Sequence, residues 1–378
     1  MSAPPPSYYE FFAGGGMARA GLGPGWTCGF ANDFDARKAA AYADNWGGDH
    51  LHVGDVWVLS AAQLPGRADL AWASSPCQDL SLAGQRRGLS GARSSAFWGF
   101  WRLIEALDAE GRAPRAVVVE NVVGLATSHG GADFSALGEA FAALGYRFGA
   151  LEVDAAAFLP QSRPRLFVVG MRDPDPALTA PGPAGPFHTP RLAEAHARLS
   201  PAARDAWVWW RLTEPARRNA DLAALLEPDD RAIWHTPAQT ARLLSQLGPL
   251  HQSKLAAARA AGGRRVGAVF RRTRIEDGRR VQRAELRFDG MAGCLRTPGG
   301  GSSRQLLLIV EGAQVRTRVL SPREGARLMG LPDTYRLPAR ATAALHLVGD
   351  GVAVPVVRHL AERLLEPLLA PGPALAAE

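Results

Sequence analysis

Glu10-Phe11-Phe12-Ala13-Gly14-Gly15-Gly16 is the stretch that decides the fold: an apolar run over residues 8–12 delivers directly into three glycines. A strand ending this way brings bare backbone close to a nucleotide-like ligand, although a glycine cluster alone reads equally as a tight turn. Asp33, in Asn32-Asp33-Phe34-Asp35, follows about 20 residues on, where such folds place a carboxylate on ribose hydroxyls. Asp55, in Gly54-Asp55-Val56 after a third weak strand, either accepts from an adenine amino group or caps a helix.

Working outward, further apolar runs cover residues 69–74, leading into Pro76-Cys77, then 116–120 and 166–170. They alternate with helix-period segments, so an α/β fold with a mostly parallel sheet is expected. Phe97, Phe100, Trp101, Ile104 and Leu107 repeat at three and four residues and form the buried stripe of one such helix. After Arg172, six prolines between residues 174 and 190 read as a linker, with a domain boundary near residue 180. Residues 262–287 carry nine arginines against three acidic side chains. Short β-like runs follow at 305–310 and 315–320, and helix patterns return from Ser321.

Composition narrows the function classes. A chain of 378 residues, 47% hydrophobic, is neither disordered nor fibrous, and its net charge of +7 favours a polyanionic partner. Cys28, Cys77 and Cys294 are odd in number and widely spaced, which fits neither a disulfide framework nor a metal site and points to a reducing compartment. With no secretory pattern and no apolar run near 20 residues, a soluble, cytoplasmic protein is expected, with no membrane association.

Cys77, in Ser75-Pro76-Cys77-Gln78, stands at a strand end before a polar, glycine-containing loop that runs to Gly91, whereas Cys28 lies in an apolar stretch and reads as inert core. Glu120-Asn121 ends a valine strand, and a carboxylate there is costly unless it caps, pairs or performs chemistry. Gln161-Ser162-Arg163-Pro164-Arg165 sets two guanidiniums on one side of an extended segment.

Together, Phe12-Ala13-Gly14, Pro76-Cys77-Gln78, Glu120-Asn121-Val122, Gln161-x-Arg163-x-Arg165 and Arg318-Val319-Leu320-Ser321-Pro322-Arg323-Glu324 with Gly330-Leu331-Pro332-Asp333 resemble the signatures of the bacterial DNA (cytosine-5)-methyltransferase family, in family order. The resemblance implies a Rossmann-like class I methyltransferase domain, discontinuous over residues 1–180 and 318–378, and a smaller inserted target-recognition domain over 181–317. It makes Cys77 the nucleophile at cytosine C6, Glu120 the acid at N3 and the exocyclic amine, and Arg163 and Arg165 the holders of the base. It implies S-adenosylmethionine as cofactor, held by Phe12, Gly14, Gly16, Asp33, Phe34, Asp55, Val56 and Pro76 with Asp350 and Val352 of the closing segment, and no metal. The substrate implied is double-stranded DNA with the cytosine flipped out. Ser81, Gln85, Arg86 and Arg87 then belong to a lid, and Arg271, Arg272, Arg274, Ser302, Ser303 and Arg304 contact the duplex, the arginines mostly through phosphates. A monomer associated with the nucleoid is expected, and a cognate restriction endonuclease is the natural partner.

Four positions depart from the family pattern: Met17 and Asp350 stand where glycine and asparagine are usual, and Leu80 and Gly91 where phenylalanine and aspartate are. Asp350 brings a charge that a sulfonium tolerates. A nicotinamide-dependent oxidoreductase shares the glycine turn but gives no account of Cys77 with Glu120 and the arginines. An enzyme methylating transfer RNA with the same residues remains the rival reading, and an inactive DNA-binding relative is disfavoured by the intact set.

Overall fold

The computed structural model describes residues 4–76, 96–218, 220–297 and 304–370. Cys77, Ser81, Gln85, Arg86, Arg87, Ser302 and Ser303 lie outside the described residues.

The chain forms two compact units, and the first comprises Met1–Asp154, Pro164–Ala216 and Val354–Glu378. Its main sheet has seven strands among the described residues: β1 (Ser7–Phe11), β2 (Thr27–Asp33), β3 (Leu51–Val53), β4 (Leu70–Ser74), β5 (Ala116–Val122), β6 (Arg147–Asp154) and β7 (Pro164–Met171). They pair in the order β3-β2-β1-β4-β5-β7-β6, parallel except that β7 runs antiparallel to both its neighbours. The mostly parallel, Rossmann-like sheet expected from sequence is therefore present. β4 and β5 are central and buried almost throughout, which is why they read as unbroken apolar runs. β6 is not among the runs read from sequence, although Gly145, at φ 73°, ends the helix Ala132–Ala143 just before it.

The helix Ala96–Ala109 buries the expected stripe: Phe100 packs 4.9 Å from Phe11, and Trp101 packs 4.7 Å from Phe141, ring centre to ring centre. On the other face, Gly21 in the helix Met17–Leu22 leaves no room for a Cβ against Val357, so the helix Val354–Leu360 lies against it at close range. Two short strands, β8 (Thr179–Ala180) and β9 (Trp209–Trp210), pair antiparallel. Buried Trp210 donates to the Val169 carbonyl at 3.0 Å, which holds the segment up to Ala216 to this unit.

The second unit comprises Ala155–Arg163 and Arg217–Ala353. Its antiparallel sheet has the order β11-β10-β12-β13, with β10 (Arg264–Glu276), β11 (Arg279–Arg287), β12 (Leu306–Glu311) and β13 (Gln314–Val319). The arginine-rich stretch is the β10–β11 hairpin, closed by Asp277-Gly278 with φ of 50° and 73°. Both turn residues are left-handed, the geometry an Asp-Gly pair provides in a two-residue hairpin. Leu243, Leu247 and Leu255, from the helices Pro237–Leu244 and Pro249–Ala260 and the turn between them, pack with Val269, Leu286, Leu308 and Val310 as its core. Among the described residues, no helix is long and apolar enough to cross a membrane.

Candidate active site

Strand order reverses between β1 and β4, and in an open α/β sheet ligands bind in the crevice at the carboxyl ends of the strands flanking such a switch. Glu10 to Gly16 leave β1 there, and Ser75-Pro76 leave β4.

On the β1 side the backbone is bent hard. Phe12 adopts φ 57°, an outlier for a bulky residue, and Gly14 and Gly16 follow at 56° and 75°. A Cβ on Gly14 would meet open space, whereas one on Gly16 would overlap the Trp46 indole, whose Nε1 donates to the Gly15 carbonyl at 3.0 Å. Asp33, buried at the end of β2, accepts from Gly14 N at 2.7 Å and Asp35 N at 2.8 Å, so the carboxylate ties the glycine turn to β2. Burial raises its pKa against those two backbone donors. Beside it the Phe34 ring is 75% exposed, which is unusual for a phenylalanine and leaves a free aromatic face. Asn32 donates to the carbonyls of His52 and Gly54 and so fixes the approach to Asp55. Asp55 caps the short helix Val56–Val58 through Trp57 N at 3.0 Å, and Val56 is buried in the core. A bare turn, a free aromatic face and carboxylates at two strand ends fit an adenosine-bearing cation.

Glu10 is a residue that the sequence reading quoted but gave no role. It is buried, neither oxygen has a hydrogen-bond partner among the described residues, and burial pushes its pKa up to about 8 against the opposing charge of Arg19. Burying a carboxylate at a strand end is as costly for Glu10 as for Glu120. By contrast Cys28, half-buried near Tyr42, has its thiol pushed by burial up to about 11, as suits an inert cysteine.

On the β4 side, pairing sets Ser74 opposite Glu120 on β5. Asn121 Nδ2 donates to Ser75 Oγ at 2.9 Å and to its carbonyl at 3.3 Å, anchoring the chain two residues before Cys77. Nothing local in the sequence announces this partner of Asn121. Buried Glu120 lies 3.1 Å from Arg165 Nε on β7, where Glu120 pairs with Phe167, so the ion pair runs diagonally across two strands.

Arg163 belongs to the second unit and is 2% exposed. It donates to the carbonyls of Leu295 at 2.8 Å, Gly349 at 3.0 Å and Gly351 at 2.6 Å, bracing the closing segment that carries exposed Asp350 and buried Val352. The two arginines of one motif therefore sit in different surroundings. Gln161 braces the same unit, donating to Leu328 O and accepting from Leu295 N. The Arg318-to-Glu324 signature also proves structural: Glu324 accepts from both Arg318 Nη atoms and caps the helix Pro322–Leu328. Arg304 is exposed and contacts Thr342. Arg272 and Arg274 are paired with Glu285 at 3.0 and 2.5 Å, while Arg271 points to the other side of the strand. Among the described residues, no cluster of potential metal ligands occurs.

Residues 7–366 match the family of C-5 cytosine-specific DNA methylases. The Type II methyltransferase M.DsaV of Dactylococcopsis salina is 26% identical over 95% of this chain and 85% of its own length. The Type II methyltransferase M.HhaI of Haemophilus parahaemolyticus is 24% identical over 94% and 92%. Among solved structures, the Dnmt2 methyltransferase of S. pombe superposes with a TM-score of 0.62 at 16% identity, covering 96% of this chain and 99% of its own. The Entamoeba histolytica methyltransferase EhMeth gives 0.63 at 13% identity over 96% and 98%; both likenesses concern the fold alone. With the family match spanning nearly the whole chain, this protein belongs to the C-5 cytosine-specific DNA methylases and is a cytosine C5 methyltransferase.

Proposed function

We propose that the chain methylates C5 of a flipped-out cytosine at a specific sequence in duplex DNA, using S-adenosylmethionine and a covalent bond from Cys77 to C6. The observation that carries this reading is the Glu120–Arg165 pair, set at the carboxyl end of β5 opposite the β4 end that leads into Cys77. Cytosine C5 is too weak a nucleophile to take a methyl group unaided, so Cys77 adds as thiolate to C6 and makes C5 enamine-like. Glu120, donating to N3 and accepting from the exocyclic amine, relieves the charge that builds on the ring, and Arg165 holds O2. Arg163 acts on the base through the segment it braces. S-adenosylmethionine supplies an electrophilic methyl group; the C5 proton then leaves to water and Cys77 is eliminated as thiolate. Phe12, Gly14, Gly16, Asp33, Phe34, Asp55, Val56 and Pro76, with Asp350 and Val352, would hold that cofactor.

Residues 1–180 and 318–378 carry this chemistry, and 181–317 choose the target. Ser81, Gln85, Arg86 and Arg87 would cover the flipped base, and Arg271, Arg272, Arg274, Ser302, Ser303 and Arg304 would contact the duplex. The Type II designation of the relatives favours a cognate endonuclease as partner. One active site per flipped base suffices, so the reading needs only a cytoplasmic monomer.

The test is a duplex carrying 5-fluorocytosine in place of cytosine, incubated with protein and S-adenosylmethionine and analysed under denaturing conditions. Fluorine at C5 cannot leave as a proton does, so a protein–DNA adduct should persist and be absent in Cys77→Ala. An adduct with transfer RNA that carries 5-fluorocytosine, and none with the duplex, would overturn the DNA assignment.

A further inference from the structure

β4 ends at Ser74, and the register sets this half-buried serine beside Glu120 on β5. Neighbouring strands lie about 4.8 Å apart, and register partners in a parallel pair face the same side of the sheet. On that side the partner of Glu120 on β7 is Phe167, and the ring of Trp72, two residues before Ser74, packs 6.2 Å from the Phe167 ring. Trp72, Phe167 and Val118, the partner of Trp72 on β5, are all buried. They form an apolar floor on the Glu120 side of the sheet.

Above this floor the hydrogen bonding leaves one donor over. Trp72 Nε1 donates to Ser74 Oγ at 3.0 Å. A serine hydroxyl has one hydrogen to give and two lone pairs to offer; the indole takes a lone pair, so the hydrogen is left for another acceptor. The carboxyl beside it on that face is Glu120, whereas Glu10, on β1, is in register one step lower, with Trp72. From the opposite flank Arg165 Nε approaches Glu120 Oε1 at 3.1 Å. Glu120 thus stands between a hydroxyl on β4 and a guanidinium on β7.

We propose that Ser74 is a positioning residue for Glu120: oriented by Trp72, its hydroxyl donates to the carboxylate that forms when Glu120 gives its proton to cytosine N3. Before that step the carboxyl is neutral and a hydrogen bond to it is an ordinary one. Once the proton has passed to N3 the acceptor is charged, and bonds to charged groups are shorter and about twice as strong. The contribution therefore grows as charge develops, which lowers the barrier and leaves substrate binding alone. Ser74 itself neither gains nor loses a proton, and N3 returns its proton to Glu120 when Cys77 is eliminated. Arg165 is shared with the base O2, so Ser74 supplies the donor that serves the carboxylate alone.

This rests on the reading of Glu120 as the acid, and a double-mutant cycle separates the two. Full-length variants are assayed for transfer of a tritiated methyl group from S-adenosylmethionine to unmethylated plasmid DNA, giving kcat and KM. Ser74→Ala should lower kcat about 10- to 100-fold, the reach of a hydrogen bond to a charged group, with KM for both substrates little changed. Ser74→Cys, close in size but a weak donor, should show the same loss, and Ser74→Thr, which keeps the hydroxyl, should recover most of the wild-type rate. In a Glu120→Gln background, where no carboxylate forms, adding Ser74→Ala should cost no more than about twofold. Full activity in both Ser74→Ala and Ser74→Cys, or the same loss from Ser74→Ala with and without Glu120, would overturn the role of Ser74 while leaving Glu120 as the acid. A Glu120→Gln variant as fast as wild type removes both.

Discussion

Replacing Glu324 by glutamine, a near-isosteric change, should cost about 3–5 kcal/mol of stability, the usual penalty for stranding one partner of a buried ion pair. Glu324 is fully buried and Arg318 is 2% exposed. One carboxylate oxygen accepts from Arg318 Nη1 at 2.7 Å and Ser321 N at 2.9 Å; the other accepts from Arg318 Nη2 at 2.5 Å and Glu227 N at 2.9 Å. A glutamine keeps one acceptor, and with it one Arg318 hydrogen bond, but turns its amino group toward the other two donors and leaves the buried Arg318 charge with no counter-charge, a 3.4 Å contact to Val319 O and the Trp234 ring at 5.5 Å. For a unit of this size each kcal/mol moves the midpoint by about 2–4 °C, so calorimetry should register a fall of roughly 6–20 °C. Arg318→Met combined with Glu324→Gln should be less damaging than Glu324→Gln alone, because no charge is then stranded. A loss below about 1 kcal/mol in the single variant, or a double variant worse than the single, would refute the reasoning.

Other outcomes follow from the site. Glu120→Gln should lower turnover about 10²–10⁴-fold, the usual reach of a positioned acid, with duplex affinity changed much less; equal losses in both would make Glu120 a folding or docking group. Because the Glu10 carboxyl keeps its proton in the folded state up to about 8, against an ordinary 4.5, stability should fall as pH rises through that window. Glu10→Gln should flatten the profile, and a slope surviving in that variant would assign it to another group. Gly16→Ala, whose Cβ would overlap Trp46, and Gly14→Ala, strained at φ 56° although its Cβ meets no protein atom, should both weaken binding of S-adenosylmethionine in titration calorimetry, with the larger fall in melting temperature for Gly16→Ala. Exchanging residues 181–317 with those of another family member should change the sequence methylated, read by bisulfite sequencing.

By itself the sequence determined what depends on neighbours along the chain. Periodicity placed the strands ending at Phe11 and Ser74 and the buried stripe of the helix Ala96–Ala109. The glycine turn at the end of β1 and the carboxylate about 20 residues on were legible too, because both are set by backbone freedom and strand length, and the structure joins them through the bond from Gly14 N to Asp33. Which side chains meet was decided only by closing long loops. Asn121 reaches Ser75 from 46 residues away, and Arg163 reaches Gly351 from 188. The Gln161-x-Arg163-x-Arg165 motif looks like one unit in sequence, yet one arginine pairs with Glu120 and the other braces a distant turn. Likewise the arginines of residues 262–287 are indistinguishable by composition, and only the hairpin register separates those facing Glu285 from those facing away. A shift of one residue would reverse every assignment, because a strand's side chains alternate with a period of two.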